Sequence, residues 1–263
     1  MKNLILFLGS MLFPVLGFAQ QMEITVLTYN IYHGERPEEA GKTNLEEVAQ
    51  LILELNPDVV ALQEIDSMTL RSVGIFGQKT NLVAELAKMT GYTGFFAKAM
   101  DYGEGGYGEA LLVKGDAEFE RQLLSTPVGG EPRSAAWTKL NLKNGSEILV
   151  GGTHLCHQFE ENRSAQVKEL IRFSQEAKLP HILMGDFNFT PESAPYQIIP
   201  KSWIDAAHKF NPNQPTYGSP EEGKRIDYIF ASQRDFEVIE YQVIDVPFSD
   251  HYPVRAKIRL KTP

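Results

Sequence analysis

Polar residues with the means to do chemistry stand at the ends of apolar runs throughout this chain. Asn30 closes Thr28-Tyr29-Asn30, and Glu64 closes the run from Val59 through Leu62 and Gln63. His154 ends Val150-Gly151-Gly152-Thr153-His154, and Asp186 and Asn188 close Ile182-Leu183-Met184-Gly185-Asp186-Phe187-Asn188. Asp227 sits inside Arg225-Ile226-Asp227-Tyr228-Ile229. Asp250 and His251 follow Ser249 and are expected to open the last strand. A carboxylate beside a core strand is costly unless it is paired or bound to metal. Asp, Glu and Asn oxygens together suit Mg²⁺, Mn²⁺ or Ca²⁺ better than zinc. Such an ion, with histidines nearby, can activate water, hold a phosphoryl oxygen and stabilise a departing one.

Taken singly, each of these residues has an ordinary reading. A Glu at a strand end is usually solvated, a His before an apolar strand is usually structural, and Gly-Asp-x-Asn is often only a turn. Their order along the chain is what carries meaning. The strings T-Y-N-I, Q-E-I, T-H-L, G-D-F-N, R-I-D-Y-I and S-D-H-Y-P-V, spread over about residues 24–260, resemble the motifs of the endonuclease/exonuclease/phosphatase superfamily. That superfamily includes DNase I-like nucleases, abasic-site endonucleases, sphingomyelinases and inositol-phosphate phosphatases.

The resemblance implies a four-layer α/β sandwich, with two packed mixed sheets flanked by helices, and a divalent-metal-dependent hydrolase of phosphate esters. By motif, Glu64 is similar to the main metal carboxylate, with Asn30 beside it and Asp250 as a second metal-side or water-side oxygen. Asp186 and Asn188 resemble the pair that orients or deprotonates water and holds the scissile phosphate. His251 resembles the catalytic imidazole, with Asp227 as the partner that fixes its tautomer and favours the imidazolium. His154 resembles a phosphate-oxygen donor or leaving-group acid. Glu131-Pro132-Arg133 resembles a segment that places an Arg near phosphate, which its bidentate fork suits; a surface ion pair is the plain alternative for Arg133. At Tyr107-Gly108-Glu109-Ala110, relatives often carry Asn where Glu109 stands.

Local patterns indicate the elements that must position these groups. Glu23–Tyr29 and Asp58–Leu62 read as strands, and Thr43–Leu55 reads as a helix with apolar residues at Leu45, Val48, Leu51, Ile52 and Leu55. Asn81–Met89 reads as a helix closed by Gly91. Strands are expected at Gly108–Val113, Ala135–Leu142 and Glu147–Leu155, the last two joined at Asn144-Gly145 by a type I′ turn. A long helix spans Glu160–Ala177. Strands follow at His181–Met184, Ile226–Ala231, Phe236–Val243 and Tyr252–Leu260. Helices between strands, then hairpins, then helix and strand again indicate a mixed α/β layered fold.

The 263 residues contain no repeat, low-complexity tract or linker, so one domain over 20–263 is expected. Before it, Lys2 precedes the almost wholly apolar stretch Leu4–Phe18, and Gly17-Phe18-Ala19 leads into Gln20-Gln21. This pattern is a secretory signal peptide, with cleavage after Ala19 and export to the periplasm or beyond. The apolar run is shorter than the ~20 residues of a membrane span. Cleavage removes only Lys2 from the charged residues, leaving 24 basic against 34 acidic ones, a net charge near −10. Cys156, the only cysteine, allows no internal disulfide and reads as a small buried hydrophobe in an apolar strand.

An acidic chain without a basic stripe is not built for a stable nucleic-acid complex. The loops Gly34–Gly41, Gly103–Glu109 and Gly218–Gly223 carry acids and few bases, so a small phosphate ester, more a diester than a monoester, is the expected substrate of a monomeric enzyme. The competing readings are a low-affinity secreted nuclease and a binding module that keeps the fold without the chemistry.

Overall fold

The computed structural model describes residues 22–261. The expected signal peptide over residues 1–19 and the start at Gln20 lie outside the described residues. In chain order the elements are β1 (Glu23–Asn30), α1 (Leu45–Leu55), β2 (Val59–Ser67), α2 (Leu70–Phe76), α3 (Leu82–Thr90), β3 (Thr93–Tyr102), β4 (Gly105–Val113) and β5 (Glu118–Leu124). Then come β6 (Arg133–Asn141), β7 (Glu147–His154), α4 (Glu160–Glu176), β8 (His181–Asp186), α5 (Ala194–Gln197), β9 (Trp203–Asp205), β10 (Asp227–Ser232), β11 (Phe236–Val243) and β12 (Val254–Leu260).

The strands form two six-stranded sheets, ordered β11-β12-β1-β2-β4-β3 and β5-β6-β7-β8-β10-β9. Each sheet has one parallel pair, β1 with β2 and β7 with β8, and its other pairs are antiparallel. A parallel pair needs a long crossover, and α1 and α4 supply one in each half.

Alternation along the strands sets the layers. Val26, Ala61 and Leu111 point inward and meet Val150, Ile182 and Ile229 of the other sheet. Their neighbours Leu27, Val60 and Leu62 point outward onto Val48 and Ile52 of α1 and Leu86 of α3. On the far side, Trp137, Leu183 and Phe230 pack on Val167 and Leu170 of α4. The result is the expected α/β/β/α sandwich. Each fully buried Val, Leu or Ile in it contributes about 1.5–3 kcal/mol. The sheets come close at Gly152, where a Cβ would stand 2.7 Å from Ala61 Cβ.

Several elements differ from the sequence expectation. β2 runs on past Glu64 to Ser67, because a bulge between Leu62 and Ile65 lets pairing with β4 resume. The β6–β7 hairpin has a three-residue loop. Gly145 N–H donates to the Leu142 carbonyl at 2.8 Å, Leu142 pairs with Ser146, and among loop residues 143–145 only Gly145 has a positive φ. That is a type I turn followed by a left-handed glycine, not type I′, which needs two positive φ values. Cys156 lies just past β7, buried in a loop. Asp250 and His251 precede β12, which begins only at Val254. The sequence reading passed over β3, β5, β9, α2 and α5. No helix among the described residues is long and apolar enough to cross a membrane.

Candidate active site

Strand register assembles the site. Across the second sheet Asp186 is the partner of His154 on one side and of Asp227 on the other. Across the first sheet Asn30 is the partner of Gln63, which places Glu64 beside it. Asp186 can follow β8 as it does because Gly185 adopts φ +151°, with its Cα so close to β7 that a Cβ would stand 2.0 Å from the Thr153 carbonyl oxygen. Glu64 sits in the β2 bulge at φ +60°, and Asn188 turns at φ +52°. Left-handed backbone costs a non-glycine residue about 1–3 kcal/mol and collects at functional sites.

All nine residues singled out in the sequence lie at one end of the sandwich. Asn30 is the buried hub: its Nδ2 lies 3.2 Å from Glu64 Oε1, 3.2 Å from Asp186 Oδ2 and 3.4 Å from His251 Nε2. Its Oδ1 accepts from the Tyr32 amide at 3.2 Å. His251 Nδ1 is 2.9 Å from Asp227 Oδ2, and its Nε2 is 3.6 Å from Asp186 Oδ2. His154 Nε2 lies 3.3 Å from the same Asp186 oxygen and 2.9 Å from Asn188 Nδ2. Glu64, Asp186, Asp250, His251, His154, Asn188 and Arg133 line a cleft of about 620 Å³, with Asn30 and Asp227 buried behind it.

Arg133 resolves the choice left by its sequence: it is 2 % exposed and also ion-paired, with Nη1 2.9 Å from Glu131. It reaches His154 Nδ1 at 3.3 Å and His157 Nδ1 at 3.0 Å. A guanidinium can only donate. Both Nδ1 atoms therefore accept, and the proton of neutral His154 sits on Nε2, facing Asp186.

The two catalytic-type histidines have opposite electrostatics. Burial alone would lower His251, but Asp227 and Asp186 outweigh it and push it up to about 10. Burial, helped by Arg133, holds His154 well below the ordinary imidazole range. Burial raises Asp186 despite His251, and it raises Asp250, with Glu64 adding to the effect. Glu64 resists the same burial: His33, with Nδ1 3.6 Å away, and the hydrogen bond from Asn30 hold it below the usual carboxylate range.

Glu64, Asp186, Asp227 and Asp250 converge with only His251 among them as a cation, an excess of negative charge that a divalent ion would relieve. Asp186, Asp227 and His251 have side-chain oxygen and nitrogen atoms within 4.8 Å of one another, a group that could share an ion only with His251 deprotonated, since an imidazolium has no lone pair to give. Asp227 Oδ1 is buried without a partner. The donor set is oxygen-rich and fits such an ion.

The sequence reading missed His157, Arg163, Lys224, Tyr107 and Tyr217, all of which line the cleft. His157 lies three residues past His154 and Lys224 directly precedes the R-I-D-Y-I string, so both could have been found by proximity. Tyr217 carries no sequence signal; a bridge between the Tyr217 and His251 backbones sets their rings 4.7 Å apart. The expected acidic rim is only partly present. Glu35 and Glu39 are engaged by His33, Lys42 and Arg36, and Glu109 is buried inside β4.

The family model described as Endonuclease/Exonuclease/phosphatase family matches residues 27–251. The chain belongs to this family. It is an enzyme of the metal-dependent phosphoester hydrolase class. Among solved structures, an endonuclease/exonuclease/phosphatase family protein from Bacteroides thetaiotaomicron is 22% identical, with TM-score 0.73, covering 92% of this chain and 100% of its own. A mannosyl-6-phosphatase from the same organism is 22% identical, with TM-score 0.72, covering 89% and 99%. The human Nocturnin catalytic domain, solved with a bound sulfate anion, is 21% identical, with TM-score 0.69, covering 92% and 97%. At these identities the likeness concerns the fold. A comparison with curated proteins finds no match.

Proposed function

We propose that this family member is a secreted or periplasmic phosphodiesterase, monomeric and processed after Ala19, that hydrolyses a small phosphodiester with Mg²⁺ or Mn²⁺ bound; Ca²⁺ is the other ion its oxygen donors suit. The observation that carries this reading is the lining of one cleft of about 620 Å³, where the carboxylates Glu64, Asp186 and Asp250 stand together with Arg133, His154 and Asn188. Carboxylates that can hold a cation beside side chains that can donate to an anion suit a metal-bound phosphoryl group.

Glu64 would hold the ion, with Asn30 and Asp250 beside it. The ion supplies neutralisation of phosphoryl charge and a more readily ionised water. Asp186, as an acceptor, and Asn188 orient the attacking water. Arg133 grips a phosphoryl oxygen, and His154 offers its Nε2 proton to a phosphoryl or departing oxygen. His251, kept charged by Asp227, opposes the negative charge that builds on phosphorus.

One observation favours a second reading, a low-affinity nuclease: Arg163 and Lys224 add positive charge to the cleft beyond what one phosphate needs. A substrate panel with Mg²⁺ or Mn²⁺, covering a model diester, a model monoester, plasmid DNA and phospholipid, decides. Turnover of the small diester above the others supports the proposal. Efficient nicking of plasmid with no turnover of small diesters replaces it with the nuclease.

A further inference from the structure

Glu109 is an acid for which the reaction has no use. It lies in β4, fully buried. Its Oε2 is in hydrogen-bonding contact with Ser134 Oγ, and its Oε1 has no partner. Ser134 Oγ also stands 2.7 Å from the Ala97 carbonyl oxygen. A hydroxyl has one proton to give, and a carbonyl can only accept. Ser134 therefore donates to Ala97, and its oxygen is left to accept from Glu109. An ionised Glu109 would set two acceptors in contact with no proton between them. Burial pushes the Glu109 acid up to about 8, against the pull of the Arg133 charge.

The charged groups that act on Glu109 are Arg133 of β6 and Glu131 just before it; the uncharged Ser134 of β6 is its polar contact, and Ser134 in turn meets the Ala97 carbonyl of β3. Arg133 is already paired with Glu131 at 2.9 Å. One carboxylate leaves that pair neutral, with the guanidinium still at the cleft. A second would make the group anionic and repel a phosphate.

We infer that Glu109 is held as the neutral acid, donating its proton to Ser134, and that this positioning residue keeps the charge of Arg133 available to the substrate phosphate. The second half rests on Arg133 being the phosphate contact proposed above. Glu109 acts through Arg133 and touches no reacting atom.

Glu109→Gln tests this, since an amide can donate to Ser134 and cannot ionise. An acid raised by folding binds more protons folded than unfolded, so its contribution to stability is lost as pH rises from the unfolded value of ~4.3 to the folded one. The melting temperature of Glu109→Gln minus that of the natural chain should therefore widen between pH 5 and 8 and then level off, whatever the substrate is. With a small diester, KM of the natural chain should rise roughly tenfold between pH 7.5 and 9.5 with kcat unmoved, and Glu109→Gln should lack the rise. A difference in melting temperature that stays flat with pH overturns the neutral acid. Identical KM profiles overturn its effect on Arg133. A widening difference in a protein that turns over no phosphate ester sinks the function reading and leaves the neutral acid standing. If Glu109→Gln does not fold, sulfate binding to the natural chain by calorimetry decides. Weakening several-fold from pH 7.5 to 9.5 supports the inference, and equal affinity overturns it.

Discussion

His251 Nδ1 hydrogen-bonds Asp227 Oδ2 at 2.9 Å, between two side chains that are both buried and 24 residues apart in the chain. The loop between β11 and β12 and the turn ahead of β10, bridged at Tyr217 and Lys224, are tied together to make this pair. Thr216 Oγ1 accepts from the Asp227 amide at 3.0 Å, the Thr216 carbonyl accepts from Tyr252 N–H at 2.7 Å, and the Asp250 carbonyl accepts from Gly218 N–H at 3.1 Å. Groups locked in this way act as one unit. His251→Ala and Asp227→Ala should each lower kcat by about 10²–10⁴-fold. The double change should cost little more than either alone. Fully multiplicative losses in a double-mutant cycle would show that the two act separately.

The two histidines should titrate in opposite senses. In metal-free protein followed by NMR, His251 should stay protonated through neutral pH, whereas His154 should stay neutral there. Asp227→Asn should bring His251 back toward the ordinary imidazole range. The stabilising effect of His251 has the sign of a raised base: it is fully present below the unfolded value of ~6.5 and is lost as pH rises through about 10. Metal-free natural protein should accordingly lose melting temperature between pH 8 and 10, more than His251→Ala does. Parallel curves for the two proteins would refute this.

Metal binding can be measured apart from turnover. If Glu64 is the principal oxygen donor, Glu64→Gln should weaken Mn²⁺ binding, read by calorimetry, roughly 10–100-fold, and EDTA should abolish hydrolysis by the natural enzyme. Full turnover in EDTA, or unchanged Mn²⁺ affinity in the variant, would remove Glu64 from that role.

The point where the sheets meet should be intolerant of bulk. A side chain at Gly152 would run into Ala61 Cβ and Leu111 Cδ2, with its Cβ 2.7 Å and 3.0 Å from them. Gly152→Val should destabilise the chain by about 1–3 kcal/mol in denaturant unfolding. A midpoint equal to that of the natural chain would mean that the sheets separate at no cost.

The candidate site was legible in the sequence because its members stand at or near the ends of apolar runs, and the register of two sheets gathers several of those strand ends. His154, Asp186 and Asp227 needed only that β7, β8 and β10 be neighbours. What escaped notice lacked such a local mark. The strand β5, Glu118–Leu124, is an edge with charged residues on its open side, so its alternation is weak. The bulge at Glu64 depends on pairing with β4, and the type I turn at Asn144-Gly145 depends on a three-residue loop, which a dipeptide does not disclose. Glu109 looked like part of an acidic loop. It is buried because β4 is covered along nearly its whole length.

The basic residues of the cleft decide what size of substrate the enzyme prefers. The chain is acidic overall, with net charge −9, so a long polyanion is repelled at distance and must be drawn in by local cations. Arg163 and Lys224 line the cleft as cations beside Arg133 and the charged His251. The Arg163 guanidinium is held by the carbonyls of Cys156 and His157 at 2.8 and 3.1 Å, which spends two of its donors on the backbone. It is therefore a fixed source of charge more than a free grip. For a small diester, whose one phosphate would on the proposed reading be held by Arg133, Asn188 and the metal, the double change Arg163→Gln with Lys224→Gln should raise KM by less than about fivefold. Arg133→Lys, which loses the fork, should raise it roughly tenfold to a hundredfold, the worth of one charged hydrogen bond. For a nuclease the order reverses, because removing each phosphate-binding cation lowers affinity and flattens its salt dependence by about one unit of slope. Steady-state kinetics on a small diester and on single-stranded DNA, at two salt concentrations, separates the cases. If the double change cripples turnover of DNA while Arg133→Lys leaves turnover of the small diester intact, the preference for small phosphodiesters is wrong.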